Sequence, residues 1–284
     1  MNLITNGCSF TAGVPQDLDH TKNEFHRTHI GDFHCYTRTN STAWPYQVQG
    51  PDKVYNLALG GSGNPRILRT TLALLDMAPQ EFIDDSVFVI QWSSIFRREN
   101  WCENGIQWEM HDQAPETGEA VVPYSVLKPH DDDEFFNLQN DTRSKHADAM
   151  KTWSDYKFLG LSLDQKLYDS LLMITALTHA LESKGARYLY TALQWNNFGL
   201  NNDFYASPMD VDWEPNAYHL ALYNLLPEDK SIKSVSEFLW RLEPDARNND
   251  RKYYIKNDGH PNDEGNRLFA NYVKEELENR NWLT

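Results

Sequence analysis

Four short β-like runs punctuate the chain, and each gives way to a polar or glycine-rich stretch. Asn2-Leu3-Ile4-Thr5 and Val54-Tyr55-Asn56-Leu57 have the length and side chains of short strands. Val87-Phe88-Val89-Ile90 is apolar without alternation, the pattern of a strand buried on both faces. A fourth strand is expected over Ala186 to Thr191, where Tyr188, Leu189 and Tyr190 carry the β-forming side chains. Between these runs the apolar period lengthens to that of helices. Ile67, Leu68, Leu72 and Leu75 recur behind Asn64, read as a cap, and Pro65, read as the first helical residue; Pro79 closes the segment. Leu163, Leu167, Leu171, Ile174, Leu177 and Leu181 form one stripe. Ser162 and Gln165 make a capping-box pattern before it, and Gly185 stands where a C-terminal cap belongs. The last helix is expected from about Asn262 to Arg280, with Leu268, Phe269, Tyr272, Val273 and Leu277 facing the core.

Strand and helix in alternation predict a mainly parallel sheet with helices on both faces. The intervals 11–52, 95–161 and 196–250 show no clear period and are rich in Asp, Asn, Gly and aromatic residues. They read as loops and insertions. The expected architecture is a single α/β domain over residues 1–284: a three-layer sandwich with a flavodoxin-like, mainly parallel sheet.

Composition narrows the partners. Lys and Arg number 26 against 41 Asp and Glu, a formal net charge of −15 over 284 residues. A sequence-independent nucleic-acid binder or an anionic-membrane binder needs a basic surface, so neither partner is expected. Cys8, Cys35 and Cys102 are too few and too scattered for a disulfide framework, and no Cys-x-x-Cys pair suggests zinc. No run approaches the roughly 20 apolar residues of a membrane span. The N-terminus lacks a basic region followed by a long apolar one, so no secretory signal is read and a cytoplasmic protein is expected. Association with a particle such as a virion, or export by another route, is the alternative. Nothing in the patterning speaks to oligomeric state.

The candidate chemistry lies in the segments just after the strands, because ligand sites of open parallel sheets lie beyond the strands' carboxyl ends. After the first strand comes Gly7-Cys8-Ser9-Phe10-Thr11-Ala12-Gly13, and after the second Leu59-Gly60-Gly61-Ser62-Gly63-Asn64. The third is followed by Gln91-Trp92-Ser93-Ser94 and the fourth by Gln194-Trp195-Asn196. Asp258-Gly259-His260-Pro261-Asn262 precedes the last helix. A serine, two small-residue turns and an Asp-x-His therefore converge on one edge. Those are the parts of acyl transfer. A serine hydroxyl needs a neighbouring base, histidine titrates in the right range, and a carboxylate can fix its tautomer. A glycine-rich turn supplies N–H groups to an oxyanion with no side chain in the way.

The string ITNGCSFTAG resembles the first block of the SGNH/GDSL hydrolases, a family of esterases and lipases. The resemblance implies Ser9 as nucleophile, with its own N–H an oxyanion donor. NLALGGSGN resembles the second block and puts the family's oxyanion glycine on Gly61. The His-Pro pair opening the last helix places the general base on His260. The blocks follow family order from residue 4 to 262. Two departures stand out. The third block usually reads Gly-x-Asn-Asp, and here Ser93 occupies the Asn slot, where its hydroxyl can donate. The family's acid commonly lies three residues before the histidine, where this chain has Asn257; Asp258 lies two before. The G-C-S-F-T, W-S-S and D-G-H-P wording is also similar to SGNH proteins encoded by tailed phages. The implied activity is a metal-independent serine esterase with a Ser9–His260–Asp258 triad, no cofactor, and a small-molecule or glycan ester as substrate. O-acetyl groups on carbohydrate are one such substrate.

Plainer readings stand beside these. Ser9 could sit in a phosphate-cradling turn, but no Gly-x-Gly-x-x-Gly is present and no Lys follows Gly13. Gly60 and Gly63 serve equally well in a tight turn. Cys8 has no basic neighbour in sequence and reads as a buried, inert thiol. His26, His29, His34, His130 and Asp131 to Asp133 have metal-ligand side chains without ligand spacing. Trp101, Trp108, Phe135, Phe136, Trp153 and Tyr156 form either a small core of their insertion or a sugar-stacking platform. The competing functions are a non-catalytic carbohydrate-binding or structural module on the same fold, and a metal phosphoesterase using the His/Asp loops.

Overall fold

The computed structural model describes residues 1–13, 24–39, 41–60, 62–93, 97–101, 107–111, 123–126, 163–192, 227–243, 252–255 and 260–283. The four expected strands meet in one all-parallel sheet. They are β1 (Asn2–Asn6), β4 (Lys53–Asn56), β5 (Ser86–Trp92) and β9 (Arg187–Ala192), in the order β4-β1-β5-β9. Ile4 pairs with Tyr55 on one side and Phe88 on the other, and Ile90 pairs with Tyr190. Past β9, a lone parallel bridge joins Tyr190 to Ser231, and Ile232 N–H donates to Tyr190 O at 2.8 Å.

Side chains of a strand alternate between faces, and both faces here are apolar. Ile4, Phe88, Ile90, Tyr188 and Tyr190 pack with α3 (Asn64–Met77) and α5 (Leu163–Ser183) through Ile67, Leu74, Leu171, Ile174 and Leu181. Leu3, Val87, Val89 and Leu189 face α2 (Trp44–Gln47), α6 (Val235–Leu242) and α7 (Asp263–Asn279), where Trp44, Leu239, Phe269, Val273 and Leu277 are buried. Burying one such side chain contributes about 1.5–3 kcal/mol, so helix placement follows from the two stripes. All seven residues of β5 are buried, as its unbroken apolar run requires. The chain is thus mixed α/β, with a four-stranded parallel sheet covered by helices on both faces.

Several expected ends hold in detail. Gly185 adopts φ +65°, and Ala186 N–H donates to Leu181 O at 2.9 Å, closing α5. Asn262 caps α7, its Oδ1 accepting from Gly265 N–H at 3.0 Å. Asn64 departs from expectation: Gly63 takes the capping position and Asn64 is the first helical residue, its side chain engaged elsewhere. The expected capping residue of α5, Ser162, lies outside the described residues.

The intervals read as loops and insertions carry regular structure of their own. Strands β2 (Glu24–Ile30) and β3 (Phe33–Thr39) form an antiparallel hairpin around Gly31-Asp32, with Gly31 at φ +57°. Its turn packs on the start of α4 (Gln80–Asp84); a Cβ on Gly31 would lie 2.8 Å from Pro79 Cδ. Strands β6 (Arg97–Trp101), β7 (Gln107–His111) and β8 (Pro123–Val126) form a second antiparallel sheet, with β6 alongside α3. In the third interval, α6 starts with a capping box between Ser234 and Glu237. No helix among the described residues is long and apolar enough to cross a membrane.

Candidate active site

The order β4-β1-β5 reverses direction at β1: the chain leaves it to one side and returns to the other. Such a switch point opens a crevice at the carboxyl ends of β1 and β5. Ser9 lies there. After Asn6 the chain turns through Gly7 and Cys8 into the one-turn helix α1 (Ser9–Ala12), with Ser9 its first residue and Gly13, at φ +81°, its end. Gly7 is dictated by crowding. A Cβ there would lie 2.6 Å from Thr11 Oγ1 and 2.9 Å from Gln91 Cβ. Its N–H donates to Asn6 Oδ1 at 2.9 Å, while Asn6 Nδ2 donates to Thr70 and Thr71 Oγ1 at 2.7 and 2.9 Å. Among the described residues nothing accepts the backbone N–H of Ser9.

His260 arrives from the far end of the chain on a pinned segment. Ile255 N–H donates to His260 O at 2.9 Å, Asn262 N–H donates to Tyr253 O at 3.0 Å, and Tyr254 bridges Pro261. Asn262 Nδ2 also donates to Lys252 O and Tyr254 O at 2.6 and 3.3 Å. The segment lies so close to α7 that a Cβ on Gly265 would fall 2.4 Å from Tyr253 O. This places His260 Nε2 2.6 Å from Ser9 Oγ. The Phe10 ring packs on the imidazole, centroids 4.7 Å apart. Ser9 is 9 % exposed and His260 half-buried, so the pair is close to solvent without being bathed in it.

The second turn is built against the first. Leu57 N–H donates to Thr5 O at 2.7 Å and Leu59 N–H to Gly7 O at 3.3 Å. Arg66, 4 % exposed, reaches back from α3 to Leu57 O at 3.1 Å and Ser62 Oγ at 3.3 Å. Asn64 then ties this turn to the third: its Oδ1 accepts Ser93 N–H at 2.8 Å and its Nδ2 donates to Ser170 Oγ at 3.3 Å. Ser93 itself is fully buried at the end of β5, with its N–H committed to Asn64.

In sequence, the chain matches no model of a known protein family and no curated protein. The geometry therefore carries the functional reading.

Of the residues singled out in the sequence, Ser9 and His260 are brought together and Ser93 follows the end of the neighbouring strand β5. Gly61, Asp258 and the competing Asn257 lie outside the described residues, as do His130, Asp131 to Asp133, Phe135, Phe136, Trp153 and Tyr156. Cys8 is buried and free. His29 and His34 stack across the β2–β3 hairpin, centroids 6.2 Å apart. Among the described residues no group of three or more His, Cys, Asp or Glu side chains could hold a metal ion. The polar residues that shape the turns, Asn6, Asn56, Asn64, Arg66 and Gln91, were not distinguished as site residues by the sequence patterns. A polar side chain at the end of an apolar strand is the available signal for Asn6, Asn56 and Gln91.

Proposed function

We propose that this chain is a serine esterase of the SGNH/GDSL type, hydrolysing carboxylic esters of a small molecule or glycan through an acyl-enzyme. O-acetyl groups on carbohydrate fall within that class. The observation that carries the reading is the 2.6 Å approach of Ser9 Oγ to His260 Nε2 between residues 251 apart in sequence. A nucleophile within hydrogen-bond reach of a base is the arrangement covalent acyl transfer needs. The strand–turn–helix carrying Ser9 and its place at the switch point support the same reading, together with a three-layer, flavodoxin-like fold.

In this mechanism His260 takes the Ser9 proton as Oγ attacks the ester carbonyl carbon. The oxyanion is stabilised by the N–H of Ser9 and that of Gly61, with the Ser93 hydroxyl as third donor. Collapse expels the alcohol, which receives the proton from His260. Water then repeats the sequence on the acyl-enzyme and releases the acid. Asp258 holds the imidazole in the tautomer that leaves Nε2 free to accept.

The test is turnover of p-nitrophenyl acetate by the purified chain. Hydrolysis that survives EDTA and disappears in Ser9→Ala supports the esterase. Hydrolysis that EDTA abolishes, or that persists in Ser9→Ala, overturns it. Replacing Gly61 with Val should lower kcat by roughly 100- to 1000-fold, the usual effect of one lost oxyanion donor. Ser93→Ala should cost less, since backbone donors remain.

A further inference from the structure

Helix α1 is a single turn, too short to hold its own geometry, so the position of Ser9 must be imposed from outside. Three buried amide side chains at the carboxyl ends of three adjacent strands do this. Asn6 at the end of β1 accepts Gly7 N–H at 2.9 Å. Asn56 at the end of β4 donates to Thr11 O at 2.9 Å, while its Oδ1 accepts Thr5 Oγ1 at 3.0 Å and Ala58 N–H at 3.1 Å. Gln91, near the end of β5, accepts the Thr11 hydroxyl at 2.7 Å and the Cys8 thiol at 3.5 Å.

Gln91 differs from the other two. It engages side chains on both sides of Ser9, at positions 8 and 11, from the most buried strand of the sheet. Its own exposure is zero and, among the described residues, its Nε2 has no partner, an uncompensated donor of the kind interiors avoid. The missing Cβ of Gly7 is what lets the turn descend onto it. A methionine-sized apolar side chain would fill the same space without that unmet donor. A glutamine is therefore kept at a cost that packing does not explain.

We propose that Gln91 is a positioning residue for the nucleophile: through Thr11 and Cys8 it fixes the height and rotation of α1 so that Ser9 Oγ meets His260 Nε2. The proposal rests on the esterase reading for its effect on turnover, but the Ser9–His260 contact can be measured apart from turnover.

Gln91→Met and Thr11→Val each remove the Gln91–Thr11 hydrogen bond with little change of volume. Each variant and the double variant are compared with the wild type in kcat and KM for p-nitrophenyl acetate. The imidazole 15N shifts of His260, assigned by their loss in His260→Gln, read the contact directly. The expected result is a fall in kcat of about tenfold or more at unchanged KM in either single variant, with the double variant no worse. The Nε2 shift should move toward that of an imidazole without the serine contact. Unchanged kcat and unchanged 15N shifts in folded Thr11→Val overturn the proposal, even if Gln91→Met fails to fold. Independent, multiplicative losses in the two variants overturn it as well. If the wild type hydrolyses no ester while the 15N shift still moves in Thr11→Val, the esterase reading falls and the positioning role stands.

Discussion

Ser9 and His260 are each held by their own surroundings. The serine lies on a turn gripped by three strands, and the histidine on a bridge pinned to a helix cap, so neither needs the other to stay in place. If His260 is the base, kcat/KM rises with pH as the imidazole loses its proton. Buried and half-buried tyrosines do not confuse that profile. Burial pushes Tyr46 up to about 12 and pushes Tyr188, Tyr190 and Tyr272 up as well, so all stay neutral at neutral pH. Asp258→Asn should lower kcat by orders of magnitude, about 10⁴-fold when a triad aspartate is lost, and Asn257→Ala should be nearly neutral. A near-wild-type Asp258→Asn enzyme would leave a Ser9–His260 dyad. The pairing of Ser9 with His260 is legible in the sequence because each follows or precedes a patterned element. Asn64 reads as a helix cap in the sequence because that is the commonest local use of its side chain. What it does instead depends on Ser93 and Ser170, 29 and 106 residues away, and no local pattern contains them.

At the scale of elements, close approach is what fixes the site, and glycine marks it. Gly265 in the first turn of α7 leaves no room for a methyl beneath Tyr253 O. Gly265→Ala should therefore push Tyr253 outward, lower kcat at little change in KM, and cost about 1–3 kcal/mol in a urea melt. A variant with wild-type kcat would show that this bridge does not position His260. The elements with strong apolar periods, β5, α3, α5 and α7, are legible in the sequence to within one or two residues of their ends. The hairpin β2–β3 is not, although Gly31-Asp32 between two seven-residue strands is a hairpin signal. Its interior residues are largely polar and charged, so the apolar alternation that betrays a half-buried strand is weak.

For the whole molecule, the sheet supplies rigidity and the added β elements supply the surroundings. Strand β3 runs beside α1, and β6 beside α3. In an esterase of this build, the segment 95–161, most of which lies outside the described residues, is expected to wall the substrate cleft, since it follows the carboxyl end of β5. Shortening it should change the preference among p-nitrophenyl esters of different acyl length while leaving the reaction of Ser9 with a small probe within a few-fold. Loss of both in a folded, shortened chain would make the segment part of the core. The net charge of −15 sets the remaining expectation: binding of anionic polymers should be absent at physiological salt.

The most direct measurement is covalent labelling by a fluorophosphonate, which requires an activated serine and an oxyanion hole together. The purified, folded protein at pH 8 should take up one probe, located on Ser9 by peptide mass spectrometry. Labelling should vanish in Ser9→Ala and slow by orders of magnitude in His260→Gln. No labelling of the folded wild type, or labelling at another residue, would contradict a Ser9 nucleophile and favour a non-catalytic binding module on this fold.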